Sequence, residues 1–82
     1  MPPMTLRLQA AVDGAEAHLR EWLSDSPSML MEFRERGNSS RAAQLVAVDV
    51  LAVLSEAWDQ SVEARLDIVT CRLLAWQRLA GG

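Results

Sequence analysis

Residues 41–58 read RAAQLVAVDVLAVLSEAW, the densest aliphatic run in the chain, and between Arg41 and Glu56 they carry one charge, Asp49. A segment this apolar must be covered by other segments or by another chain. The whole chain is 82 residues, enough for one domain, and a domain of that size buries only about 60% of the surface its unfolded form exposes. Its core needs help from elsewhere. Disulfides cannot supply it, because Cys71 is the sole cysteine. A structural zinc site cannot either, because one Cys and one His fall short of four ligands. A second subunit or another partner protein is the remaining source, and a homodimer is expected.

The formal charge is −3, and all eight basic residues are Arg, with no Lys and no Tyr. GC-rich codons give such usage, which points to a bacterial gene. The start, MPPMTLRLQ, lacks the basic region and apolar core of a signal peptide. The longest uncharged run, residues 42–48, is far short of the roughly 20 residues of a membrane span. No membrane association is expected, and a cytoplasmic location is.

Apolar spacing divides the chain into helices of about 5–24, 27–36, 40–58 and 62–80. Thr5 is a candidate cap for the first, whose stripe is Leu8, Val12, Ala15, Leu19 and Trp22, at helical spacing. Gly14 interrupts it at a cost of about 1 kcal/mol relative to Ala. Ser26 before Pro27 reads as N-cap and first helical position. A short helix follows with Met29, Leu30 and Phe33 on one face, ending where Gly37 suits a left-handed C-terminal residue. On a helical wheel the third segment turns Val46, Ala47, Val50, Leu51, Val53, Leu54, Ala57 and Trp58 to one broad face. The fourth shows a stripe at Val62, Leu66, Val69, Leu73, Trp76 and Ala80. Its second apolar flank runs Ala64, Ile68, Cys71, Ala75 and Leu79.

Between the last two helices, Asp59-Gln60-Ser61 is a polar place for a reversal, with Ser61 as N-cap and Glu63 favourably near the helix start. The fold class expected is all-α, a small four-helix bundle with a short second helix. The alternative fuses the last two segments into one long helix in a dimer. A reversal places residues whose numbers sum to about 121 opposite one another, which predicts the pairs Asp49–Arg72 and Glu56–Arg65.

Candidate chemistry is sparse. His18 has no acid or phosphotransfer motif beside it and reads as a boundary histidine. Glu56, Asp59, Glu63 and Asp67 would line one face of a continuous helix, but the Glu-x-x-His pairs of di-iron bundles are missing. Cys71 reads as a buried thiol. Arg36, Ser39, Ser40 and Arg41 frame a loop at a helix start that could hold an anion. No catalytic residue, metal ligand or cofactor is expected.

Surplus apolar surface is the remaining signal, assigned to Met31, Leu45, Val48, Leu66, Val69, Leu73 and Trp76 as a partner or dimer interface. The function expected is a non-enzymatic bacterial protein–protein interaction module, such as an adaptor, small chaperone, immunity protein or inhibitor. The alternative is a small helical nucleic-acid-binding regulator using Arg34, Arg36 and Arg41. Net negative charge and the lack of interleaved aromatics argue against it.

Overall fold

The computed structural model describes residues 3–35 and 40–81, with the side chains of residues 3–6 and 30 outside that description. It holds four α-helices: α1 (Pro3–Leu23), α2 (Pro27–Glu35), α3 (Ser40–Glu56) and α4 (Val62–Leu79). The all-α bundle read from apolar spacing is the fold, and the last two helices are separate.

The helix starts follow backbone chemistry. Proline holds the first position of both α1 and α2, where its missing N–H and fixed φ cost nothing. Thr5 therefore lies inside α1, and it is not the cap. At α2 the amide of Met29 bonds at 2.9 Å to the backbone carbonyl of Ser26 rather than to its hydroxyl, so the expected side-chain cap is replaced by a backbone turn. The expected C-terminal role of Gly37 lies outside the described residues.

The reversal after α3 closes tightly. Ala57 N–H reaches the carbonyls of both Val53 and Leu54, and Gln60 N–H reaches Ala57. Ser61, in extended conformation, then caps α4 by accepting from Ala64 N–H at 3.1 Å, with Glu63 in the first turn. α4 ends on Ala80, and Gly81 follows at φ 88°, a left-handed backbone that glycine adopts without a Cβ clash.

α4 is the hub: both α1 and α3 pack along it. α3 runs antiparallel to α4, with Asp49 against Arg72 midway and Trp58 against Arg65 near the turn. α1 runs parallel to α4, since Leu8 and Ala11 share a groove with Asp67 and Cys71 while Trp22 meets Trp76 further along both helices. α2 crosses the end where α1 finishes. Phe33 packs on Trp76 with ring centroids 4.9 Å apart, and Arg34 Nε donates to the terminal carbonyl of Leu79 at 3.3 Å.

The core consists of Val12, Leu19 and Leu23 from α1, Phe33 from α2, Ala42 from α3, and Cys71, Ala75, Trp76 and Leu79 from α4. Each large side chain in it contributes about 1.5–3 kcal/mol by leaving water. Two expectations about faces change here. On α4 the flank Cys71, Ala75 and Leu79 is buried, whereas Val62, Leu66 and Leu73 of the nominal stripe are exposed. On α3 the inward residues are Ala42, Asp49 and, beyond its end, Ala57, while Leu51 and Trp58 point out. Asp49 finds its partners Arg72 and Trp76 on α4, and with that charge turned in, Leu51 and Trp58, roughly half a turn away around the helix, are turned out.

Candidate functional site

Behind the exposed face lies a buried polar cluster. Asp49 and Arg72 are 7% and 8% exposed, and the carboxylate is fully engaged. Its Oδ2 accepts from Arg72 Nε at 2.9 Å and from Trp76 Nε1 at 2.8 Å, and its Oδ1 accepts from Arg72 Nη2. This is the two-point fork by which a guanidinium matches a carboxylate. On the far side Arg72 Nη1 lies 3.1 Å from His18 Nδ1. A guanidinium only donates, so in this contact Nδ1 is placed as the acceptor. One cluster thus ties α3, α4 and α1 together. It can fix how the three helices register, and the Asp49 carboxylate spends its hydrogen-bonding capacity within it.

The pair Asp49–Arg72 was legible in the sequence; Trp76 and His18 as its further partners were not. Glu56–Arg65, predicted by the same rule, does not form. Arg65 instead lays its guanidinium 4.5 Å from the centroid of the Trp58 ring, a cation–π contact, and leaves its Nε buried without a partner. The aromatic face lies within reach and offers the Arg65 stem an apolar surface.

The outer surface of the α3–α4 hairpin is different in kind. Ala47, Leu51 and Leu54 of α3 fall in one row with Trp58 just beyond it, and Leu51, Leu54 and Trp58 border one shallow groove. Val62, Leu66, Val69 and Leu73 form the row on α4. At 100° per residue both rows lie on the side of the hairpin turned away from α1. Leu51, Trp58, Val62 and Leu66 are each more than 60% exposed, and neither row contains a charge.

The residues assigned to an interface from sequence divide accordingly. Met31, Val48, Leu66 and Leu73 are exposed. Val69 is half-buried, and Leu45 is half-buried against the core. Trp76 is 2% exposed and packed among Phe33, Trp22 and Asp49, so it belongs to the core and offers nothing to a partner. Leu51, Trp58 and Val62 were missed as surface residues. The available signal was the Asp49–Arg72 pairing, which turns Leu51 outward once Asp49 is placed facing α4.

The candidate anion site does not come together in the described residues. Arg36 and Ser39 lie outside them, Ser40 begins α3, and Arg41 is paired with Glu32 at 3.1 Å. With Arg34 held by the Leu79 carbonyl, both described members of the Arg34, Arg36, Arg41 patch have partners within the protein. Glu56, Asp59, Glu63 and Asp67 are exposed around the reversal, and no metal-binding cluster of acids, His or Cys occurs among the described residues. Cys71 is a buried free thiol. Burial, with Asp67 nearby, pushes its pKa up, which holds it as the unreactive thiol. No described helix is long and apolar enough to cross a membrane.

No family model, no curated protein and no solved structure matches the chain.

Proposed function

We propose that this protein is a non-enzymatic protein–protein interaction module of the bacterial cytoplasm, an adaptor, small chaperone, immunity protein or inhibitor by class, that works by burying the apolar face of its α3–α4 hairpin. The observation that carries this reading is the uncharged double row running from Ala47 to Trp58 and from Val62 to Leu73. Singly exposed apolar residues are ordinary, but a contiguous patch of them marks an interface. Trp58, an exposed aromatic 68% open to solvent, is the residue type that most often anchors such contacts.

The test is retention of binding partners by immobilised protein and by its Leu66→Glu variant, in a high-GC bacterial lysate. Leu66 is exposed, so the variant keeps the fold while placing a charge in the middle of the face. A protein retained by the native chain and lost by the variant supports the reading. Equal retention by both, with a native chain that does not associate with itself, would refute it.

A further inference from the structure

We infer that the occupant of the α3–α4 face is a second copy of this chain, laid across it antiparallel about a twofold axis that runs between the copies at right angles to the helices. This rests on the interaction reading above and names its partner.

The first argument is the symmetry of the face. On the α3 side its members are 47, 51, 54 and 58, spaced four, three, four, and on the α4 side 62, 66, 69 and 73, spaced the same way. The spacing of each row, though not its residues, reads the same from either end. The midpoints, between Leu51 and Leu54 and between Leu66 and Val69, lie level with each other across the antiparallel hairpin. A twofold through both midpoints sets Leu51 against Leu54 of the second copy, and Leu66 against Val69. It also sets Trp58 against Ala47 and Val62 against Leu73. The largest side chain meets the smallest, the complementarity that close packing requires. Rows at three and four spacing pack at a shallow angle, as helices of bundles do.

The second argument is area. The accessible surface is 5768 Å², whereas a folded monomer of this mass exposes roughly 4,900 Å². The excess, roughly 900 Å² over the whole chain, is the scale of surface that one partner buries in a stable interface, ~800 Å². Among the described residues, five of the ten exposed large hydrophobics, Leu51, Trp58, Val62, Leu66 and Leu73, lie on this one face.

The third argument is charge, and it selects the antiparallel arrangement. Glu56, Asp59 and Glu63 gather at the turn end of the hairpin. A parallel dimer would bring both sets together. The antiparallel one sets them at opposite ends, roughly 20 Å or more apart at 1.5 Å per residue, beyond the ~8 Å over which exposed charges interact in physiological salt.

Sedimentation equilibrium at micromolar concentration should give about 18 kDa, twice the chain mass of 9.1 kDa. Leu66→Glu and, separately, Leu51→Glu should each return the mass to that of one chain with helical circular dichroism unchanged; two variants guard against either one misfolding. A spin label at Gln60, in the exposed turn, should then report roughly 25 Å between copies, where a parallel dimer would give roughly half that. A native chain of single mass, a dimer that survives both glutamates, or the short distance would each overturn the inference. If the native chain is monomeric yet loses a lysate partner on Leu66→Glu, this inference fails and the interaction reading stands.

Discussion

Replacing Asp49 by Leu removes one member of a buried pair and leaves Arg72, 8% exposed, without its carboxylate. Breaking such a pair from one side costs about 3–5 kcal/mol, because the surviving charge stays buried. The Trp76 Nε1–H that donated to Asp49 is orphaned as well, for a further ~1–3 kcal/mol. An 82-residue domain has about 4–12 kcal/mol of stability in total, so the single variant should be largely or wholly unfolded without denaturant. Arg72→Met should lose a similar ~3–5 kcal/mol, since a buried carboxylate remains with one donor. The double variant, Asp49→Leu with Arg72→Met, removes both charges and both desolvation costs. A buried pair replaced by apolar residues of similar size is commonly neutral or stabilising by ~1–4 kcal/mol, which offsets the loss at Trp76. The double variant should therefore fold near native stability. Urea unfolding followed by circular dichroism at 222 nm measures the native and double-variant corners of this cycle, and the helical signal of each single variant without denaturant sets a lower bound on its loss. The expected coupling is several kcal/mol, far above the ~0.5 kcal/mol within which independent sites add. Singles that cost under about 1 kcal/mol, or a double variant as unstable as both singles combined, would refute a buried pair. Exchanging the charges, Asp49→Arg with Arg72→Asp, should rescue less than the apolar pair, because Trp76 N–H would then face another donor.

Three further outcomes are expected. Gly14 lies in the interior of α1 with open space where a Cβ would stand, so Gly14→Ala should stabilise by about 0.5–1 kcal/mol, and a fall in the urea midpoint would show that a methyl is not tolerated there. Ser61→Ala should cost about 1 kcal/mol through loss of the α4 cap, whereas Ser26→Ala should cost a few tenths at most because its carbonyl holds the Met29 amide; equal losses would contradict that assignment. Burial raises the Cys71 pKa, so the folded state keeps the proton after the unfolded chain has begun to lose it. That stabilisation is intact below the unfolded thiol pKa of about 8.5 and is lost as pH rises from there through the folded value. With no Lys and no Tyr in the chain, stability in reducing buffer should fall over this alkaline range, and Cys71→Ala should flatten the fall; an equal slope in both would show that the thiol is not buried in solution.

What the sequence by itself determined is what short-range forces decide. Proline at a first helical position, Ser61 ahead of Glu63 and glycine after α4 act within a turn of the backbone, so the four helices and the reversal at 59–61 are legible residue by residue. The opposition of Asp49 and Arg72 was legible for a related reason, because a tight reversal turns sequence separation into distance along two antiparallel helices. Which face of each helix points inward was decided by the tertiary structure. Apolar periodicity marks two candidate flanks on α4 and a broad one on α3, and nothing local says which of them meets α1. The answer came from partners remote in sequence. Asp49 needed both Arg72 and Trp76, which rotated α3 and left Leu51 and Trp58 outside. Ala75 and Cys71 were small enough to let α1 lie close along α4, which left Val62, Leu66 and Leu73 uncovered. Arg65 shows the same limit on a smaller scale. Charge alone pairs it with Glu56, but in three dimensions the ring of Trp58 lay within reach, and the guanidinium packs there.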